Sequence, residues 1–165
     1  MRDTFLPYLK QLADAGFTIN PNLLFRTLTG VGAKKVRFKE IADDFWDSEK
    51  IQPYWKRTQD AWNNLVARFR NYGILSNNPM PTEAALVTII ALVDKFPNAP
   101  FKIFLDWFLQ ASRFSRYSGS GTTSLDEDLR DINDSETAEA AVSKLVRRFG
   151  YDVRLSARGF SPRLH

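Results

Sequence analysis

The sequence predicts an all-α fold, a single globular bundle of about seven to eight helices over residues 4–150, followed by a basic C-terminal tail over residues 151–165. Two observations indicate this class. Apolar residues recur at three- and four-residue spacing in successive segments that proline and glycine delimit. Convincing alternation of period two is missing, although Tyr151 to Leu155 could form one short strand. We expect the tail to be truncated.

The first two helices are predicted from their apolar faces and their end signals. Residues 4–15 place apolar side chains on one face, and Gly16 follows as a natural stop. Asn20 and Pro21 start the second helix, because Asn is a good N-cap and Pro is favoured at the first helical position. Two glycines are expected to close it, Gly30 and Gly32.

The third and fourth helices follow from the same spacing. Val36 to Asp47 carries apolar residues at helical intervals, which predicts a short third helix. Pro53 opens the longest helix, which runs to Tyr72 and ends at Gly73. Its outer face is basic, with Lys56, Arg57, Arg68 and Arg70.

The second half of the chain predicts four more helices. Ala84 to Phe96 is apolar nearly all round and should be the central, most buried helix. Phe101 to Phe114 forms an aromatic-rich helix that should pack on it. Ser124 to Glu127 has the spacing of a capping box and should begin a short acidic helix. Asp134 and Ser135 should start the last helix, with Gly150 after its end.

The composition excludes most catalytic classes. The chain lacks cysteine, and its one histidine is the last residue, His165, so thiolate metal sites, histidine-based triads and two-histidine zinc sites have no ligands to work with. No Walker A spacing occurs, and Gly119 and Gly121 follow a helix rather than a strand. We therefore predict no catalytic residue, no metal-binding residue and no cofactor. The N-terminus does not resemble a signal peptide, no apolar run spans a membrane, and we expect a cytoplasmic protein.

The carboxylates near Asp126 to Asp131 offer the one acidic cluster worth weighing as an enzyme site. A pair of carboxylates could hold Mg²⁺ or perform acid–base chemistry. The alternative is a solvated helix start, since acidic residues are stabilised near helix N-termini by the helix dipole. We favour the helix start.

Basic side chains indicate a second kind of site. The net charge is +4, and Lys144 to His165 carries six cations against Asp152 alone. Such groups either pair with neighbouring acids or contact phosphates or a partner domain. The loop from Arg116 to Ser120 is the segment that helix packing explains least, and it is either a fixed connection between helices or a ligand loop. The candidate contact residues are Arg113, Arg116, Tyr117, Ser118, Gly119, Ser120, Lys144, Arg147 and Arg148.

Several segments together resemble the helical region of the domain-of-unknown-function 262 family, which includes the GmrSD-type modification-dependent restriction systems. The most specific part is Arg116-Tyr117-Ser118-Gly119-Ser120 followed by Leu125-x-x-Asp128-Leu129. The other segments are Gly16-Phe17-x-Ile19, Leu23-Leu24-Phe25-Arg26, the helix of Trp55 with Tyr72-Gly73-Ile74-Leu75-Ser76, and the Pro81 helix. The resemblance covers about residues 4 to 132.

The resemblance implies a part of a larger protein. In that family a nucleotide-hydrolysing domain of ParB-like fold precedes the helical region, and many members end in an HNH-type nuclease domain. The nucleotidase motif, of the Asp-Gly-Gln-Gln-Arg type, is not found in this sequence, and a single histidine cannot form an HNH site. No catalytic residue is therefore carried over.

We accordingly expect a non-catalytic helical module of a bacterial DNA-targeting restriction or phage-defence protein. It would act as a scaffold between the nucleotidase and nuclease domains, with the duplex DNA backbone as a further expected partner and no membrane partner. The alternative is a docking or dimerisation module without nucleic-acid contact. The aromatic excess on the helices of Trp46, Trp55 and Trp107 favours that alternative. The oligomeric state is left open.

Overall fold

The computed structural model describes residues 2–78, 80, 83–118 and 121–159, and for residues 2, 3 and 150–159 it describes the backbone alone. Over these ranges seven α-helices follow one another without a strand, which confirms the predicted all-α class. The helices are α1 (Arg2–Asp14), α2 (Pro21–Gly32), α3 (Ser48–Asn71), α4 (Ala84–Lys95), α5 (Phe101–Arg113), α6 (Gly121–Asn133) and α7 (Ala138–Gly159).

Helix α4 forms the centre of the molecule, as its apolar sequence predicts. Every residue from Ala85 to Val93 is buried, and α4 packs against α2, α3, α5 and α6. Burying one large aliphatic side chain stabilises a fold by about 1.5–3 kcal/mol. Because six of these side chains lie on α4, this helix supplies a major share of the hydrophobic stabilisation. Its six large aliphatic residues are Leu86, Val87, Ile89, Ile90, Leu92 and Val93.

Most of the aromatic excess lies in this core. Trp55 and Trp107 are buried, and Trp62 is fully buried with its indole N–H donating to the hydroxyl of Thr27 at 3.0 Å. Trp46 differs, because 40% of its surface is exposed. Packing in the core therefore accounts for Trp55, Trp62 and Trp107 but not for Trp46.

The predicted third helix is wrong. Two 3₁₀ turns, Phe38–Glu40 and Asp43–Trp46, replace it. Ile41 and Phe45 are buried while Phe38 and Trp46 are exposed, so the apolar residues of this segment do not share one helical face. The segment is held instead by long-range bonds, such as the one from the N–H of Val36 to the carboxylate of Asp126 at 2.8 Å.

Three predicted helix starts are displaced. Helix α3 begins at Ser48 rather than Pro53, which lies inside the helix near its exposed N-terminal end. Helix α6 begins at Gly121, so Ser124 is a buried residue of its interior rather than an N-cap. Helix α7 begins at Ala138, where the hydroxyl of Thr137 accepts from the N–H of Ala140 at 3.1 Å and takes the capping role expected near Asp134.

Glycine ends some helices and not others. Gly16 and Gly73 follow α1 and α3 with positive φ, as predicted. Gly30 lies inside α2, where an added Cβ would meet Val87 at 3.3 Å, so it permits close helix packing instead of ending the helix. Helix α7 continues through Gly150 to Gly159, and the alternative of a strand over residues 151–155 is therefore wrong.

Among the described residues, no helix is both long enough and apolar enough to span a membrane.

Candidate functional site: a buried polar network at the Arg116 turn

The turn after α5 directs the side chains of Arg116 and Tyr117 into the protein interior. Ser115 has a φ of 51°, the left-handed conformation typical of the residue that follows a helix. The N–H of Arg116 donates to the carbonyl of Ala111 at 3.0 Å, and the N–H of Ser115 donates to that of Ser112 at 3.4 Å. These are the two bonds of a Schellman motif. The reversal places Arg116 and Tyr117 in the interior rather than on the surface.

Arg116 forms a buried, two-pronged ion pair with Asp128 of α6. Its Nη2 lies 2.9 Å from Oδ1 of Asp128, and its Nε lies 3.3 Å from Oδ2. The exposed fractions of the two side chains are 6% and 1%. Nη1 of Arg116 donates to the hydroxyl of Ser124 at 3.4 Å. The guanidinium thus ties the turn to two successive levels of α6.

Tyr117 links the same carboxylate to the central helix. Its hydroxyl donates to Oδ2 of Asp128 at 2.6 Å and is also hydrogen-bonded to the hydroxyl of Thr88 on α4. Because the single proton of Tyr117 goes to Asp128, Thr88 must be the donor in the second bond. Thr88, the polar residue within the apolar run of α4, therefore has a partner.

The charges of this network are held in a medium with little water. Burial raises the pKa of Asp128, while the bonds and the charge of Arg116 and the bond from Tyr117 oppose that rise. Asp128 accepts from three donor groups, so the carboxylate form is the one that this geometry requires. Burial, followed by the charge of Asp128, raises the pKa of Tyr117 far above its ordinary value. Tyr117 consequently stays a neutral donor.

Arg148 extends the network to α7. Its guanidinium pairs with Glu127, with Asp131 at 2.7 Å and with Asp128 at 3.5 Å. The side chain of Arg148 is 30% exposed, so this pair lies at the edge of the network. Four helices or helix connections thereby meet at Asp128: α4, the turn after α5, α6 and α7.

The candidate contact residues fall into three groups. Arg116 and Tyr117 lie in the interior and Arg148 is engaged by acids, so none of the three presents a free cationic surface. Arg113, Ser118 and Arg147 are exposed, and Lys144 is half-buried. Gly119 and Ser120 lie outside the described residues. The structure thus joins Arg116, Tyr117 and Arg148 in one network and leaves Arg113, Ser118, Lys144 and Arg147 outside it.

Five members of the network were not among the contact residues predicted from the sequence: Thr88, Ser124, Glu127, Asp128 and Asp131. A signal was present for Asp128. It lies three residues after Leu125 and four before Ile132, on the apolar stripe of α6, where an unpaired carboxylate would be costly. A charge on the buried face of a helix requires a partner, and Arg116 was the nearest unexplained cation in the sequence.

The carboxylates of α6 near this network are engaged in hydrogen bonds and ion pairs within the protein. The carboxylate of Asp126 is bonded to the N–H of Val36 and paired with Arg37, and those of Glu127, Asp128 and Asp131 are paired with arginines. Within the described residues, no group of three or more acidic or histidine side chains is placed to hold a metal ion. What this geometry can do chemically is fix the relative positions of helices.

The chain was compared with protein-family models, with curated proteins and with solved structures, and no match was found in any of the three comparisons.

Proposed function

We propose that the chain is a non-catalytic helical scaffold of a bacterial DNA-targeting restriction or phage-defence protein. In this role it holds a nucleotidase domain and a nuclease domain in a fixed relation. The proposal rests on the resemblance of the sequence and on one structural observation, the network at Asp128. Three residues from the most specific part of the resemblance form this network: Arg116 and Tyr117 both donate to the carboxylate of Asp128, which ties the turn after α5 to α6.

A rigid scaffold needs helix junctions that do not bend, and the network supports that property. Breaking a buried ion pair typically costs about 3–5 kcal/mol, because one charge is left unpaired in the interior. Arg148 adds the link from α6 to α7. Load applied to α7 is therefore transmitted to α6 and α4 rather than absorbed at a hinge.

DNA-backbone contact is the second part of the proposal. The exposed cations Arg113 and Arg147 would make this contact. Arg113 ends α5 and Arg147 lies on α7. The ring of Phe114 lies 6.1 Å from that of Phe149, which brings the two segments side by side. Two arginines and the half-buried Lys144 on adjoining segments are suited to phosphate oxygens.

The DNA part is tested by fluorescence anisotropy of a labelled duplex at roughly 50 and 200 mM salt. The proposal expects salt-sensitive binding by the chain and strongly reduced binding by the double variant Arg113→Glu, Arg147→Glu. The matched control reverses two exposed lysines, Lys10→Glu and Lys39→Glu, and should bind as the unaltered chain does. Absence of binding at the lower salt concentration would contradict DNA contact, and equal loss in both double variants would contradict contact through Arg113 and Arg147.

The scaffold part is tested in a protein that joins this chain to its nucleotidase and nuclease domains. Asp128→Asn should uncouple nucleotide hydrolysis from DNA cleavage while each activity, measured separately, persists. Asp106→Asn, which alters an exposed pair on α5, is the matched control and should leave the coupling intact. Full coupling in the Asp128 variant would contradict the scaffold.

A docking module remains the second candidate, and exposed aromatic side chains favour it. Trp46 is 40% exposed and Phe38 is 47% exposed, with their ring centroids 6.0 Å apart. Large exposed aromatics are enriched where proteins meet. If docking is self-association, light scattering will show a dimer that Trp46→Ala dissolves, whereas a monomer at all concentrations would contradict that form of it.

A further inference from the structure

A surface cleft lined by basic residues opens on the side of α6 that faces α2, α3 and α4. It encloses about 190 Å³. Its polar lining residues are Lys34, Arg57, Asp94, Lys95 and Asn133. Three cations therefore face one carboxylate, in a part of the protein that the network at Asp128 does not use.

The one carboxylate that lines the cleft, Asp94, forms an ion pair with Arg57 through both of its oxygens. Nε and Nη2 of Arg57 donate to the two oxygens of Asp94 at 3.2 Å and 2.6 Å. This two-pronged pair neutralises both partners and leaves Lys34 and Lys95 as the surplus charge. In the described part of the chain neither lysine takes part in an ion pair within 4 Å.

Both ammonium groups donate to neutral backbone carbonyls, and these bonds do not use all of their N–H donors. Nζ of Lys34 donates to the carbonyl of Val31 at 3.2 Å. Nζ of Lys95 donates to the carbonyls of Ile132 and Asn133 at 2.9 Å and 2.7 Å. An ammonium has three N–H donors, so two remain on Lys34 and one on Lys95. The two side chains thus offer three charged donors at the cleft.

Lys34 also has an unfavourable backbone conformation. Its φ is 60°, in the left-handed region where glycine or asparagine is the usual residue after a helix. Desolvation, followed by the nearby charge of Arg57, lowers the pKa of Lys34 although the residue is exposed overall. A lysine is thus held where both its backbone and its charge are disfavoured. A bound anion would relieve the electrostatic part.

The size and charge of the cleft select the ligand. Pockets that enclose a whole drug-sized molecule measure about 300–1,000 Å³, so this cleft suits a small group. A phosphate group carries up to two negative charges and several acceptor oxygens, which match two ammonium groups and three free donors. We propose that the cleft between α2, α3, α4 and α6 binds a phosphate group through Lys34 and Lys95.

The phosphate can belong to a free small molecule or to a nucleic-acid backbone, and the experiment separates these sources. Binding of inorganic phosphate to the whole chain is measured by calorimetry, with chloride at equal ionic strength as the reference, and the titration is repeated with a short DNA duplex present. Competition by the duplex assigns the site to backbone phosphate. Unchanged phosphate binding assigns it to a small phosphate compound.

Substitutions at Lys34 provide the decisive comparison. Lys34→Gly should weaken phosphate binding at least about tenfold, the loss expected for one charge-assisted contact, while suiting the left-handed backbone. Lys34→Arg should retain binding, and Lys10→Gln, which removes an equal charge from α1, should bind normally. Circular dichroism verifies that each variant folds.

Two results would overturn the phosphate site. They are absence of phosphate binding by the unaltered chain and equal affinity in the Lys34→Gly variant. The inference is separable from the proposed DNA contact, because the double variant Arg113→Glu, Arg147→Glu leaves the cleft residues intact and should bind inorganic phosphate normally.

Discussion

At the scale of single residues, the helix ends with left-handed backbone differ in the side chain that they carry. Gly16 and Gly73 follow α1 and α3, whereas Lys34 and Ser115 follow α2 and α5. Glycine adopts this conformation without steric cost, and other residues do so at about 1–2 kcal/mol. The two positions without glycine are the ones that adjoin the basic cleft and the turn of Arg116, so local strain coincides with the two candidate sites.

Ser115→Gly should raise the free energy of unfolding by about 1 kcal/mol, because the left-handed backbone becomes unstrained. The Schellman bonds at this turn involve only backbone atoms and would persist. Gly73→Ser is the matched opposite change. Gly73 has a φ of 79° and an added Cβ would meet no atom within 4 Å, so only the backbone cost remains. Urea unfolding of both variants checks the pair, and shifts of the same sign would refute the backbone explanation.

Asp128→Asn should lower the free energy of unfolding by about 3–5 kcal/mol, since it leaves the buried guanidinium of Arg116 without a counter-charge. Asp106→Asn removes an acid of the same type from an exposed pair with Lys102 and should lower the free energy of unfolding far less. Chemical denaturation measures both. Replacing Arg116 with Met and Asp128 with Leu together should recover much of the loss, because no unpaired charge then remains.

The site could be predicted in part from the sequence. Arg116 and Tyr117 were identifiable because helix packing did not explain them. Their direction was not, since it depends on the left-handed Ser115, where no glycine signals the reversal. Tyr117 meets Thr88 across 29 residues and Asp128 across 11. Local periodicity does not encode such contacts, and partner choice appears only once the helices are packed.

At the scale of elements, local signals located most helices and failed where tertiary contacts prevailed. Helix α4 was predictable because its apolar run is long and continuous. Two 3₁₀ turns replaced the predicted third helix, and Val36, at the start of that segment, is bonded instead to the distant Asp126. Helix α7 passes Gly150, although glycine costs about 1 kcal/mol inside a helix. Phe149 stacks on Trp107 of α5 at 6.2 Å, and this burial outweighs that cost.

The junction of α6 and α7 yields a prediction about local opening. Arg148→Gln should accelerate amide hydrogen exchange in α7 more than in α6. The variant removes the ion pairs that hold α7 to α6, whereas α6 stays bonded to the turn after α5 through Asp128. Arg147→Gln alters the neighbouring exposed arginine and should leave exchange in both helices unchanged. Native-state exchange followed by mass spectrometry resolves the two segments. Uniform acceleration over the whole chain would indicate global destabilisation instead of a loosened junction.

At the scale of the whole molecule, two buried tyrosines, Tyr8 and Tyr117, reach into the core from the two halves of the described chain. Tyr8 of α1 lies among Gln59 and Asn63 of α3, with its hydroxyl 3.1 Å and 2.8 Å from their oxygens. Tyr117 reaches α4 and α6 from the turn after α5. One phenol therefore connects two helices in the first half of the chain, and the other connects helices in the second half. Ionising either phenol would destabilise the helix contact that it makes.

The chain should lose stability as the pH rises above about 10, the ordinary pKa of tyrosine. Burial and the nearby charge of Asp60 raise the pKa of Tyr8, and burial and Asp128 raise that of Tyr117. Above pH 10 the unfolded chain releases protons that the folded chain retains, so unfolding becomes more favourable. The stability due to these groups is complete below pH 10 and declines by up to about 1.4 kcal/mol per pH unit for each tyrosine.

Urea unfolding of the chain and of Tyr8→Phe and Tyr117→Phe, between about pH 9 and pH 11, checks this expectation. Each variant loses a hydrogen bond and should be less stable at pH 9, but its stability should decline with pH less steeply than that of the unaltered chain. The absorbance of tyrosinate supplies an independent reading, because Tyr8 and Tyr117 should ionise only as the chain unfolds. Equal slopes in all three proteins would mean that neither phenol is protected, and the buried network would then have to be open to water at Tyr117.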